Sequence, residues 1–339
     1  MKIKLKSSTM RRLVSIGLVV VLMLAFALLS DSFLSARNIF LLLKDAGYLG
    51  LIACGLSIVM LGGGIDLSVG GICCVTGIIC ARLSLMGING FVVLFLGIII
   101  GALFGCVNGF VVAKIGLTEF VATLASGFVF TGLGLVLCFR DSGQILVGNL
   151  ISKAITSPSY LSLGRSLTEG NSFYPITLAW ILFTVVTAFV LYKTKFGLYT
   201  FAIGSNDKAS AMSGVNTKLV KFLGFVICGG CAGAAAVFQT ANMQTANALL
   251  GNGYEFQAIA ACVVGGVVLG GGKGDTISAF IGALFMVSVL NGLMKLGLPT
   301  YWSIFSQGAI IVLATAFDAQ FAKFAYRRRM TEQRLSAVS

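Results

Sequence analysis

Histidine is absent from all 339 residues. Its absence removes the commonest metal ligand and the commonest general base, and so disfavours an intramembrane hydrolase. Charge is scarce as well: Asp, Glu, Lys and Arg make up 10% of the chain, against about 25% in soluble domains. So few charges cannot wet a globular surface. Proline numbers only 3, which excludes a Pro-rich disordered chain. What is present instead is 58% hydrophobic residues and a mean hydropathy of +1.00, a composition whose solvent is lipid. Glycine contributes 43 residues, and glycine at that level suits helices packed backbone to backbone in a membrane. The nine cysteines lie in or at the ends of apolar runs, a reduced, buried pattern and not a disulfide framework. Cys228-Gly229-Gly230-Cys231 has CxxC spacing, but inside an apolar run and without histidine it reads as packing and not as zinc or redox chemistry.

Apolar stretches fall at about 13–30, 46–61, 67–83, 91–113, 120–139, 175–192, 222–241, 256–270, 276–294 and 303–319. They predict an all-α polytopic membrane protein of about ten transmembrane helices, with residues 1–339 as a single transmembrane domain. The first run follows a basic segment and contains Ala25-Phe26-Ala27. It is long for the apolar core of a signal peptide, and is expected to be retained as a span. With the N-terminus inside, 17 of the 24 lysines and arginines fall on cytoplasmic segments and 7 on external ones. That asymmetry predicts both termini in the cytoplasm and accounts for the formal charge of +13 without any nucleic-acid partner. Two connections are long: 140–174 outside, polar and serine-rich, and 193–221 inside, carrying five lysines.

A faint repeat is legible. Asn108-Gly109-Phe110-Val111-Val112-Ala113-Lys114-Ile115-Gly116-Leu117 resembles Asn291-Gly292-Leu293-Met294-Lys295-Leu296-Gly297-Leu298, an offset of 183 residues from Asn108 to Asn291. That offset lays spans two to five over spans seven to ten with opposite topology, so the repeat is inverted. A competing match of Leu61-Gly62-Gly63-Gly64 with Leu269-Gly270-Gly271-Gly272 would need a parallel repeat. The first aligns four spans together and is preferred.

The segment Gly62-Gly63-Gly64-Ile65-Asp66-Leu67-Ser68-Val69-Gly70-Gly71 breaks two apolar runs with glycines and one carboxylate. A charge near membrane depth costs at least about 2.5–3.5 kcal/mol. Two readings stay open: a tight cytoplasmic turn with Asp66 capping the next helix, or a discontinuous helix on a translocation path, with Gly63, Gly64, Asp66, Ser68 and Gly70 at the break. In the internal connection, Asn206 suits an N-cap, Asp207 the positive end of a helix dipole and Gly214 a C′ position; Ala209 and Met212 share the face between them. A helix of about two turns needs a docking partner to persist. Gly97, Gly101, Gly105 and Gly109 repeat every fourth residue, a stripe that lets another helix approach at backbone distance. Gln239, Asn242, Asn252 and Glu255 gather near the outer end of the seventh run; amides and a carboxylate can exchange hydrogen bonds with a polar solute's hydroxyls, though an ordinary solvated loop explains each one alone.

Gly-Gly-Ile-Asp-Leu-Ser-Val-Gly at 63–70 resembles the signature of bacterial sugar ABC-importer permeases of the ribose, xylose and galactose group. Two further segments agree: 196–216 is similar to that family's ATPase-contacting loop, and 251–266 to its late external loop and helix. The resemblance runs from about Asn38 to Asp318. After Asn206, Asp207-Lys208-Ala209-Ser210-Ala211 departs from the family's usual acidic or alanine-rich run, which bears on details of the ATPase contact. The resemblance implies a permease subunit in the bacterial cytoplasmic membrane, working with ABC ATPase subunits, an extracytoplasmic sugar-binding protein and a second permease copy or paralogue. Under it, 193–221 is the coupling loop. The chain has no phosphate loop of its own: around Gly266–Gly274, Val267 stands where the first glycine would be needed and Lys273 is followed by Gly274. No cofactor is expected, and ATP hydrolysis must come from the partner subunits. Branched-chain amino-acid or nucleoside permeases are the nearest alternative, and a passive channel a further one.

Overall fold

In a computed structural model, the structure describes residues 7–142, 155, 157–168, 173–247, 249–316 and 320. Much of the external connection 140–174 and the C-terminal segment lie outside the described residues. Described elements are helical, with no strand among them: α1 Ser7–Leu29, α2 Ala36–Leu61, α3 Val69–Leu85, α4 Gly90–Phe110 running into a π-helical turn at Val111–Ile115, α5 Glu119–Ser142, α6 Pro158–Gly164, α7 Pro175–Lys193, α8 Lys195–Ser205, α9 Asp207–Met212, α10 Thr217–Met243, α11 Tyr254–Gly265, α12 Thr276–Lys295 and α13 Thr300–Ala316.

Among the described residues, each of the ten apolar runs contains a helix. Seven are long and apolar enough to cross a membrane; α3, α11 and α13 are shorter. At 1.5 Å per residue the 17 residues of α3 reach about 25 Å and the 12 of α11 about 18 Å, short of a hydrocarbon core about 30 Å thick. In contrast, α2 begins at Ala36 and not near 46, because its polar first turns find partners inside the bundle. Asn38 and Asn291 exchange both amide hydrogen bonds, at 2.8 and 3.2 Å. Lys44 Nζ lies 3.5 Å from Asp45 Oδ1 and from Asn242 Oδ1.

An offset of 183 carries the starts of α2, α3, α4 and α5 onto those of α10, α11, α12 and α13 to within three residues. The two sets interlock. α10 packs most extensively on α4 and then on α2, while α2 packs in turn on α12 and α11. Gly55 abuts Cys228 and Cys231, and one turn further along α2 Ile58 and Val59 abut Gly224, so α2 and its equivalent α10 are antiparallel. Equivalent helices that point in opposite directions make the repeat inverted. The two members of the competing glycine match touch one another.

Close approach of α4 to α10 comes from the glycine stripe. A Cβ on Gly101 would fall on Gly229 O and within 2.8 Å of Gly233 Cα; one on Gly105 would fall on Phe225 O, one on Gly97 on the Val237 side chain, and one on Gly109 within 2.9 Å of Phe222 O. From the other side, a Cβ on Gly229 would meet Gly101 O and one on Gly233 would meet Gly97 O.

Candidate functional site

The chain leaves α2 through Gly62–Gly64 and then runs alongside the first turns of α5. Gly64 abuts Glu119, Leu67 N donates to Thr123 Oγ1 at 3.0 Å, and Leu67 and Ser68 abut Gly127. This path lifts the chain from the end of α2 to the middle of α10, where the Cys228 thiol faces Asp66 and Cys73 Sγ donates to Ala232 O at 3.3 Å. The segment therefore turns at exposed Gly63 and then lies buried inside the bundle from Asp66 to Gly70. Asp66 does not cap the first turn of α3: Oδ1 accepts from Ser68 N at 2.9 Å and Ser68 Oγ at 2.6 Å, closing a turn on its own segment. Asp66 is wholly buried, and Oδ2 accepts no well-formed hydrogen bond. Asn108 Nδ2 donates to Ser68 Oγ at 2.5 Å, and Ser126 Oγ donates to Asn108 Oδ1 at 2.5 Å. These bonds tie the break to α4 and α5.

The equivalent short helix, α11, starts against the start of α3. A Cβ on Gly70 would fall on the Glu255 carboxylate and within 2.6 Å of Gly251 O, while one on Gly251 would lie 2.6 Å from Gly70 O and 2.8 Å from Cys73 Cβ. Two helix N-termini, each the positive end of a dipole, thus meet beside the Glu255 carboxylate.

Of the four polar residues expected near the outer end, the structure separates two from that point. Asn242 Nδ2 donates to Gly164 O at 2.8 Å and holds α6, and Asn252 sits exposed in a turn. The other two stay. Glu255 faces Gly70, and Gln239 Nε2 donates to Tyr254 OH at 2.6 Å, leaving its buried Oε1 without a donor. Sequence reasoning missed Cys228 opposite Asp66, and it missed Lys44, whose ammonium also stands 5.3 Å above the Tyr174 ring. For the Lys44–Asp45 pair a signal existed: adjacent opposite charges just before an apolar run, easily read as a loop.

At the opposite end of the bundle, the connection 193–221 is mostly helix. Thr194 caps α8, accepting from Gly197 N at 3.4 Å. Asn206 then caps α9, its Oδ1 accepting from Ala209 N at 3.0 Å. α9 has six residues and is closed by Gly214 at φ 84, with Val215 N bonded to Ser210 O at 3.1 Å. Ala209 and Met212 are exposed, Met212 to 90%. Asp207 Oδ2 pairs with Lys221 Nζ at 3.0 Å, and the same ammonium lies 3.3 Å from Glu119 Oε1.

Three glycines meet beneath α8. A Cβ on Gly271 would lie 2.7 Å from Gly63 Cα and 2.8 Å from Gly204 Cα, and Gly272 N donates to Leu61 O at 2.9 Å. Gly63 and Gly271 hold φ of 84 and 81, where side chains are strained. The same end carries a buried ion pair. Asp275 caps α12 through Ser278 N at 2.7 Å and accepts from Arg12 Nε at 2.9 Å and Tyr192 OH at 2.8 Å. Burial alone would raise the Asp275 carboxyl, but Arg12, the Ser278 N–H and Tyr192 together hold it below its ordinary range.

Comparison with known proteins agrees with this architecture. The ribose import permease proteins of Bacillus subtilis strain 168 and Escherichia coli strain K12 are 36% and 32% identical to the chain. The first match covers 88% of this chain and 89% of that protein, and the second 88% and 90%. The L-arabinose ABC transporter permease protein of Azospirillum brasilense is 32% identical over 89% of this chain and 86% of its own. No solved structure matches. The family described as the permease component of the branched-chain amino acid transport system matches residues 38–315, and the chain belongs to it.

Proposed function

We propose that the chain is the membrane-spanning permease of an ATP-driven importer for a monosaccharide, a pentose or hexose, in the bacterial cytoplasmic membrane. The carrying observation is similarity across almost the whole chain to proteins named as ribose and L-arabinose permeases. Within this reading the α9 end faces the cytoplasm, with both termini on that side. α9 presents Ala209 and Met212 to an ABC ATPase subunit, and Asn206, Asp207 and Gly214 hold its shape. An extracytoplasmic binding protein delivers sugar at the α6 end, and a second copy or a paralogue completes the pore.

The sugar passes the point where α3 and α11 begin. Asp66 Oδ2, Gln239 Oε1 and Glu255 accept hydrogen bonds from its hydroxyls, and helix N-terminal N–H groups donate to them. No bond in the sugar changes. Closure of the ATPases pulls α9 and alternates access to that point. Reconstitution with its ATPase and binding protein in vesicles tests this: labelled ribose or arabinose uptake should require ATP. Sugar flux without ATP would support a passive channel. ATP-driven uptake of leucine in place of sugar would support the branched-chain amino-acid reading, which the family's description favours.

A further inference from the structure

Lys221 stands at the first turns of α10 between two carboxylates from different elements: Asp207, the first residue of α9, at 3.0 Å and Glu119, the first residue of α5, at 3.3 Å. All three are partly shielded, with side-chain exposures of 25% for Lys221, 21% for Glu119 and 48% for Asp207. An exposed pair of this kind contributes little to stability, so the placement matters more for geometry than for energy.

What α5 does next gives the geometry its direction. Glu119, Thr123 and Ser126 follow one another at the spacing of a single helix face. Each has a partner in a different part of the site. Glu119 holds Lys221, Thr123 accepts from Leu67 N, and Ser126 donates to Asn108, which donates to Ser68 beside Asp66. One face of α5 therefore runs from the ammonium that grips α9 to the helix break that carries the buried carboxylate.

We propose that Lys221 is a positioning residue that joins α9 to α5, so that movement of α9 is delivered along the Glu119–Thr123–Ser126 face to the Asp66–Ser68 break. The inference rests on α9 being the ATPase-docking helix. The relay is rigid where it needs to be: α5 is continuous through all three positions, and Gly64, Leu67 and Ser68 lie directly against it.

The test measures sugar moved per ATP hydrolysed in vesicles holding the full complex, beside co-purification of the ATPase. Lys221→Met and Glu119→Gln should keep the ATPase bound and hydrolysing while sugar per ATP falls about fivefold or more, the scale of a lost coupling between sites. Lys221→Arg, which keeps the charge, should restore the ratio. A Lys221→Met complex with the wild-type ratio overturns the relay, and so does one that loses its ATPase, since Lys221 would then merely stabilise docking. Should Lys221→Met fail to fold, Glu119→Gln and Thr123→Val carry the same test, the latter leaving Leu67 N without its acceptor. Met212→Glu separates the underlying reading: normal ATPase binding and uptake in that variant would sink α9 as the docking helix, whatever Lys221 does.

Discussion

Replacing Gly101 by alanine adds one methyl group to the α4–α10 contact, and nothing there can yield except backbone. The new Cβ would fall on Gly229 O and lie 2.8 and 2.9 Å from Gly233 Cα and N. A real Cβ does not approach backbone so closely, so α4 must move away from α10. Overpacking of a tight contact costs about 1–3 kcal/mol, and for a chain of this size each kcal/mol shifts the midpoint by about 2–4 °C. Gly101→Ala should therefore lower the apparent Tm in detergent, read by fluorescence-detected size exclusion after heating, by several degrees. Gly101→Leu should abolish a monodisperse peak. Val107, 48% exposed on the same helix, provides the control: Val107→Leu should leave the midpoint within about 0.5 kcal/mol of wild type. A Cβ on Gly229 enters the same gap from the other side, meeting Gly101 O and Gly105 Cα. Once the helices have separated, the second methyl costs less, so Gly101→Ala with Gly229→Ala should lose less than the two single losses together. A Gly101→Ala protein as stable as Val107→Leu would refute the close-approach argument, and full additivity would refute the shared gap.

At the Asp275 cap the folded-state carboxyl is depressed, so the stability it adds is present above the ordinary carboxylate pKa near 4 and is lost as pH falls through the folded value. Thermal midpoints taken from about pH 6 down to pH 3 should drop in wild type and drop less in Asp275→Asn; parallel curves would count against the linkage. Asp66→Asn should insert and fold but slow uptake about tenfold or more, the scale of one hydrogen bond to a charged group, and normal uptake would take Asp66 off the path. Gly214→Val places a β-branched residue at φ 84 and should cost about 1–2 kcal/mol at the end of α9, weakening ATPase co-purification while leaving insertion intact; unchanged co-purification would argue against a shaped docking helix. A cysteine at Ser339, in a protein freed of its own cysteines, should resist an impermeant thiol reagent in intact cells, and labelling from outside would overturn the orientation drawn from the basic residues.

The helices were legible because hydropathy reports burial in lipid or protein without needing to know which. Their lengths were less so. α2 starts ten residues before its apolar run because Asn38 meets Asn291 and Lys44 meets Asn242, and a single sequence gives no sign that two polar residues 253 positions apart satisfy each other. α11 stops at Gly265 because Gly266 takes φ 107, although the apolar run continues. Within the connection 193–221 the caps made α9 legible, but α8 read as a loop since the flanking lysines break the hydropathy, although amphipathic surface helices carry charge without losing their fold.

The helix break is where local reading stopped short. From Gly62–Ser68 alone, a solvated turn and a buried segment have the same composition, and only the partners show the burial: Cys228 opposite Asp66, Thr123 and Asn108 holding the segment, and Gly251 against Gly70. The repeat contained that answer in weak form. The 183-residue offset pairs two spans too short to cross, α3 and α11, and carries Gly70 onto Gly253. An inverted pair of short helices has to start from opposite faces and meet in between, because each begins only after its chain has turned back into the bundle. The contact of Gly70 with Gly251 and Glu255 is that meeting point. The proposed sugar path uses that meeting point, and on this reading Asp66 and Glu255, 189 positions apart in number, act on the same passing sugar.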